Sequence, residues 1–268
     1  MKINSSDTIK VETKKMSVPV RNFLARSFVI HFSKEQKIKQ PIKMKKNFYL
    51  IIVLSLSVLF GQANTQSVLW SENFEGDWTA NWHADAGTWE VGAPTSGPNA
   101  AYAGDNCAAT ILDGNYTEPV TSRLIRHKSF TVPSATQNPR LRFWHWYSFS
   151  HADYGKVQIK VDGTNNWVDV STSYTNTGSN LWTYPSIDLS DYSGQSVQIA
   201  FYFYSTDNFM TSGSDVSTGW YIDDIEVITG PVVFNDPEGW ENGIGDWASE
   251  RGTWEVGTPT SGPGSAHN

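Results

Sequence analysis

The side chains able to do chemistry in this sequence are mainly carboxylates and aromatic rings. Glu72, Glu75 and Asp77 open the Trp-rich part of the chain, Asp105-Asn106 falls in an early loop, and Asp223-Asp224 lies in the last strong strand pattern. First and last strands of a β-sandwich are commonly neighbours, so carboxylates on both can converge. A hard cation such as Ca²⁺ gathers about six to eight oxygen ligands, carboxylate and carbonyl alike. The spacing therefore suits a Ca²⁺ that staples the chain ends and takes no part in catalysis. The competing reading needs no metal: Asp224 accepts backbone N–H groups and Asp223 is solvated.

Catalytic patterns are thin. His31, His83, His127, His145, His151 and His267 show no short-range metal spacing, and no Ser sits in a nucleophile elbow. His145 lies inside a Trp-rich strand and reads as a packed residue. His151-Ala152-Asp153 lacks the third partner that a hydrolytic triad requires. Acidic pairs for glycoside hydrolysis carry no specificity here, because 24 Asp/Glu between residues 64 and 268 always yield pairs. The region reads as non-enzymatic.

The aromatic residues point to ligand recognition or to a core. Trp144, Trp146, Trp167, Trp182 and Tyr184 are candidates for a platform on which sugar faces stack. Tyr116, Tyr154, Tyr174, Asn176 and the segment 207–218 are candidate loop contacts.

The elements that must position these groups are strands. In Leu141 to Phe149 the odd residues face one way, and Arg142, Trp144, Trp146 and Ser148 the other, with neither side plainly polar, so a central strand covered on both faces is expected. Lys156 to Val161 alternates polar and apolar, and Asp162-Gly163 turns it into Trp167-Val168-Asp169-Val170 as a hairpin. Ser196–Tyr204 and Gly219–Val227 are further strands. With no sustained helical period, the expectation is an all-β protein: a jelly-roll β-sandwich of two antiparallel sheets.

Four segments follow along the chain. Residues 1–43 form a basic extension with ten Lys/Arg against three acidic residues. Residues 44–63 read as a signal peptide: Met44-Lys45-Lys46, an apolar run from Phe48 to Phe60, then Gly61-Gln62-Ala63. That run is short of the roughly 20 residues a membrane span needs. The competing reading is a permanent anchor behind a long cytoplasmic lead; under the favoured one Met44 is the true start, residues 1–43 are a misassigned extension, and no stable span survives cleavage. Residues 64–230 form the module. Residues 231–268 open a second, truncated copy, since the stretch Trp82 to Pro98, with Gly87-Thr88-Trp89-Glu90-Val91-Gly92 at its centre, recurs 165 positions later as Trp247 to Pro263. That copy is expected to fold poorly alone or to lean on the first.

After residue 64 the net charge is −16, although the whole chain is formally −7. Such a surface repels phosphate backbones and excludes nucleic acid as a partner. Cys107 is the only cysteine, so there is no intrachain disulfide and no Cys-based zinc site. A small buried residue is its expected role, with intermolecular pairing as the competing one.

Several motifs, in order, carry a resemblance: Asn73-Phe74-Glu75-Gly76, Arg140 to Tyr147, Gly155 to Val161, Asp188-Leu189-Ser190 and Gly219 to Ile225. Over about residues 68–229 the chain resembles the MAM domain and its bacterial relatives, the choice-of-anchor J domain and the jelly-roll modules of immune inhibitor A-type metallopeptidases. The resemblance implies a concanavalin/MAM-like sandwich with a structural Ca²⁺ held by Glu75 and Asp224, with Asp105 a looser ligand. Animal MAM domains are disulfide-bonded, so a chain with Cys107 alone fits the bacterial branch. The function expected is a secreted or cell-surface binding or adhesion module in a multidomain protein, with an extracellular glycan or protein as partner. The alternative is an accessory domain of a secreted peptidase or glycoside hydrolase whose catalytic domain lies elsewhere in the chain.

Overall fold

A computed structural model describes residues 65–176, 181–207, 215–234, 238–250 and 254–262. The basic extension, the leader and residues 208–214 of the long polar loop lie outside the described residues. The strands are β1 (Ser67–Glu72), β2 (Trp82–Ala84), β3 (Glu90–Gly92), β4 (Cys107–Ala109), β5 (Val120–Arg126), β6 (Phe130–Thr131), β7 (Arg140–Ser148), β8 (Tyr154–Val161), β9 (Val168–Asp169), β10 (Tyr174–Thr175), β11 (Ser186–Asp188), β12 (Ser196–Ser205) and β13 (Gly219–Thr229). Single-turn 3₁₀ helices at Trp78–Ala80, Ala135–Gln137 and Ser190–Tyr192 interrupt them. Each is too short to leave a helical period in the sequence.

The strands form a two-sheet, all-β sandwich of jelly-roll type. One sheet has the order β11-β7-β13-β4-β3, with β1 also paired to β13. The other has the order β10-β8-β12-β5-β2, with β6 on β12 and β9 on β8. All the recorded strand pairs are antiparallel. First and last strands are neighbours as the sequence suggested, with Ser67 opposite Thr229 and Glu72 opposite Ile225.

Period-2 alternation fills the space between the sheets. Leu141, Phe143 and Tyr147 of β7 meet Val157 and Ile159 of β8, Val197, Ile199, Phe201 and Phe203 of β12, and Trp220, Ile222, Ile225 and Val227 of β13 in one buried cluster. Trp220 is fully buried at its centre and lies against the backbone of Gly155: a Cβ there would fall 2.6 Å from the indole. His145 is fully buried with these rings and accepts the Trp220 Nε1–H at 3.2 Å through Nδ1. Burial pushes its pKa down to about 3, so it is a neutral core residue.

Strand β13 departs from simple alternation. Its pairing with β7 slips between Asp223 and Glu226, and Asp224 sits at φ +43°. This bulge returns Ile225 and Val227 to the core side that Trp220 and Ile222 occupy. It also reverses the metal-free reading of the acidic pair. Asp223 is the fully buried residue, accepting the N–H groups of Tyr102 (3.0 Å), Ala103 (3.1 Å) and Asp224 (2.8 Å). Asp224 is only half-buried.

A candidate ligand-binding face on the seven-stranded sheet

The outward side of the β8-β12-β5-β2 sheet is polar and aromatic where its inward side is apolar. Strand β8 presents Tyr154, Lys156, Gln158 and Lys160, while β12 presents Gln198, Ala200, Tyr202 and Tyr204. Register sets these side by side: Tyr204 opposite Tyr154, Tyr202 opposite Lys156 and Arg123, and Ala200 between Gln158 and Ile125. His83 of β2 follows beside Ile125.

Trp167 enters from the β8–β9 hairpin, whose turn uses Gly163 at φ +80°. Its ring is flanked by two cations, with Arg123 Cζ 5.7 Å and Lys160 Nζ 5.0 Å from its centroid. Arg123 also covers Tyr202 at 4.7 Å. Tyr154 stacks on Tyr204 with centroids 5.1 Å apart, and Lys156 Nζ lies 5.2 Å from the Tyr154 centroid.

A chain of polar contacts crosses the strands between these rings. Asp85 lies 3.2 Å from an Arg123 Nη, Arg123 Nε donates to Gln158 Oε1 at 2.8 Å, Gln158 Nε2 donates to Asp169 Oδ1 at 2.7 Å, and Lys156 Nζ meets Asp169 Oδ2 at 2.7 Å. Burial pushes the Asp169 carboxyl upward, but the Lys156 and Gln158 donors outweigh it and leave the pKa lowered. Burial raises the Tyr202 phenol, as does the neighbouring Tyr154. At the β2 end His83 stacks on His127 at 4.4 Å, and burial, followed by His127 repulsion, lowers the His83 pKa. The face thus offers half-buried aromatic rings beside donors and acceptors already fixed by one another. Such an arrangement is chemically suited to a ligand with apolar faces and hydroxyl edges, with little ordering cost on the protein side.

Of the platform candidates only Trp167 belongs to this face; Tyr154, expected in a loop, joins it from the first position of β8. Trp144, Trp146, Trp182 and Tyr184 cluster on the outer side of the opposite sheet, where Tyr102 joins them. There Tyr102 stacks on Trp144 (centroids 3.7 Å) and Trp144 on Tyr184 (4.6 Å). The division follows from strand assignment: Trp144 and Trp146 ride on β7, in the six-stranded sheet. Of the loop candidates, Tyr116 is buried and donates to Asp153 Oδ2 at 2.5 Å, Tyr174 is buried in the core, and Asn176 is exposed at φ +60°. Asp153 also accepts the Thr206 N–H at 2.9 Å, so this acid is occupied by structural donors.

No family model matches the chain. Over 154 residues, 58% of its length, it is 32% identical to bacillopeptidase F of Bacillus subtilis (strain 168). The chain spans 10% of that protein. Among solved structures, the CBM22-1 xylan-binding domain of Paenibacillus barcinonensis Xyn10C is 17% identical, with a TM-score of 0.41 over 64% of this chain and 99% of that one. The K1 cleaved adhesin domain of Lys-gingipain from Porphyromonas gingivalis W83 is 17% identical, with a TM-score of 0.42 over 61% of this chain and 97% of that one.

The carboxylates expected to hold Ca²⁺ gather only in part. Glu75 accepts the backbone N–H groups of Asp105 (2.9 Å) and Asn106 (2.8 Å) on Oε1 and the Asn106 side-chain amide (3.0 Å) on Oε2. The Asn106 N–H leads in lowering its pKa. Gly104 permits this approach, since a Cβ there would fall 2.3 Å from Glu75 Oε1. Asp105 thus meets Glu75 through its backbone. Asp224 lines a polar cleft of about 440 Å³ with Glu72, Asn73, Asn81 and Glu226, and its pKa is raised by burial and then by repulsion from Glu226 and Glu75. Glu72 is engaged by the Phe74 N–H and the Trp82 indole N–H, and Asp77 caps the first 3₁₀ turn. Among the described residues no three His, Cys, Asp or Glu side chains lie together as a metal-ligand group. As placed, Glu75, Asp105 and Asp224 do not form a cage; Glu75 itself ties the 104–106 loop to the start of the module. Cys107 is fully buried, and burial pushes its thiol up to about 12.

Proposed function

We propose that the chain is a non-catalytic glycan-binding module of an exported protein, acting as an accessory domain to a secreted hydrolase. The observation that carries this reading is the outward face around Trp167, with its rings and the fixed Asp85-Arg123-Gln158-Asp169-Lys156 network. Pyranose rings present a patch of C–H groups that lies flat on an indole or phenol. Their equatorial hydroxyls then reach donors and acceptors at the ring edge. The 32% identity to part of bacillopeptidase F supports an accessory role, beside a peptidase. An extracellular location agrees with the leader pattern at 44–63, and no helix among the described residues is long and apolar enough to cross a membrane.

Affinity electrophoresis of the full chain against soluble polysaccharides, preceded by a glycan array, tests the reading. At least one polysaccharide retards the protein, and Trp167→Ala weakens that retardation by about tenfold or more, the equivalent of roughly 1.4 kcal/mol. Trp254→Ala, at an exposed ring outside this face, leaves it unchanged. A flat array, or retardation that survives Trp167→Ala, overturns the assignment.

A further inference from the structure

The outer side of the six-stranded sheet carries a feature that glycan recognition does not use. Arg140 and Arg142 of β7 are buried there, 5% and 2% exposed. Buried guanidinium groups demand anionic or carbonyl partners. Arg140 finds the carbonyl oxygens of Asn138 and Gly230 at 3.1 Å each. The remaining partners come from the opening of the second copy: Asp246 Oδ1 lies 3.1 Å from Arg140 and 3.6 Å from Arg142, and Arg142 donates to Gly245 O at 3.0 Å and to Trp247 O.

Beyond the arginines the segment passes Tyr184, ahead of β11, and reaches Thr172, ahead of β10 of the opposite sheet. Ser249 N–H donates to Tyr184 O at 3.2 Å, Tyr184 N–H donates back to Ser249 Oγ at 2.9 Å, and Thr172 Oγ1 donates to Glu250 Oε1 at 2.9 Å. Arg142 lies 3.8 Å from the Tyr184 centroid, capping the ring stack that runs through Trp144 to Tyr102. Ile244, Trp254 and Val256 meet Tyr102, Trp146 and Trp182 across a cleft of about 430 Å³.

The repeat itself separates scaffold from contact. At the 165-residue offset Trp247 matches Trp82, and Gly252 to Gly257 matches Gly87 to Gly92 without a change. The polar positions that touch the first module are ones where the copies differ: Asp246 stands against Asn81, Ser249 against Ala84, and Glu250 against Asp85. In the first copy those sites do other work. Asn81 Nδ2 donates to Glu72 at 3.4 Å, and Asp85 pairs with Arg123. We propose that the outer face of the six-stranded sheet is a joint between consecutive repeats: it receives residues 244–250, clamped by Asp246 on Arg140 and Arg142. The joint fixes the second copy's opening on the first module and covers part of the Trp146-Trp182 cleft. It stands independently of the glycan reading.

Hydrogen exchange read by mass spectrometry on the full chain tests it. In the wild type, the amides of Trp247 and Ser249, which donate to Ile244 O and Tyr184 O, are protected; in Asp246→Asn, which installs the residue of the first copy, their protection falls at least about tenfold. Strands β8 and β12, on the opposite sheet, keep theirs. Ser249→Pro removes the N–H given to Tyr184 while leaving the sandwich sequence intact, and it gives the same loss at the Trp247 amide. Unprotected Trp247 and Ser249 amides in the wild type overturn the joint, and so does protection there that neither substitution changes.

Discussion

Two buried ionisable residues give the module opposed responses to acid. His145 is held neutral by burial, its pKa pushed down to about 3, whereas an unfolded histidine takes its proton near 6.5. Between these values the unfolded chain binds one proton more than the folded one, so this contribution to stability is present above about pH 6.5 and is lost as pH falls. Asp223 behaves in the opposite sense. Burial pushes its pKa up to about 7 against the pull of the Ala103, Asp224 and Tyr102 N–H groups, while its unfolded value is 3.8. There the folded chain binds the extra proton, so its contribution is present below about pH 3.8 and is lost as pH rises toward 7. Each slope has a limit of about 1.4 kcal/mol per pH unit, and between roughly pH 4 and 6.5 the two cancel in the wild type. Asp223→Asn unmasks the histidine: measured against wild type, stability falls by up to about 3 kcal/mol as pH drops across that window. His145→Gln unmasks the aspartate and gives the reverse slope. An amide at 223 also presents one oxygen to three N–H groups, a loss of about 1–3 kcal/mol that does not vary with pH and is separable from the slope. Urea unfolding at intervals between pH 4 and 7 reads both. An Asp223→Asn series parallel to wild type would refute the reasoning for Asp223, because it would mean that the three N–H donors outweigh burial and keep this carboxylate ionised throughout.

Two further outcomes are expected. Gly155→Ala places a methyl group 2.6 Å from the ring of Trp220, which is fully buried and cannot swing to solvent, so the unfolding free energy drops by about 1–3 kcal/mol in urea titration; an unchanged midpoint would show that the core has slack there. We also propose that Ca²⁺ binds in the polar cleft that Asp224 lines with Glu72 and Glu226: melting is higher in calcium chloride than in chelator, and Asp224→Asn abolishes the difference, whereas superimposed wild-type curves count against the ion.

The sandwich is largely legible because period-2 patterns survive in the strands that matter. Leu141 to Phe149, Lys156 to Val161 and Ser196 to Tyr204 announce β7, β8 and β12, and Asp162-Gly163 announces the hairpin to β9. Alternation fails at Asp224, because a bulge adds one residue and shifts every later side chain to the other face. The Asp223-Asp224 pair was therefore open to misreading from spacing alone: which acid is buried depends on where the extra residue sits.

The proposed binding face was harder to read for a different reason. Trp144, Trp146, Trp167, Trp182 and Tyr184 look equivalent as aromatic residues outside the repeated scaffold, yet sheet membership divides them. Trp167 follows β8 into one sheet, while Trp144 and Trp146 follow β7 into the other. A better signal lay in the polar positions of the alternation. Where β8 carries Tyr154, Lys156, Gln158 and Lys160, and β12 carries Gln198, Tyr202 and Tyr204, the outward row is polar and aromatic, as the proposed glycan face requires. Where β7 carries Arg142, Trp144 and Trp146, the outward row is largely buried even though its strand faces away from the core. A sheet face that hides arginines has to be covered by something that answers their charge, and Asp246 supplies that answer where the first copy has Asn81. Differences between repeat copies, more than their shared tryptophans, therefore mark where one copy meets another.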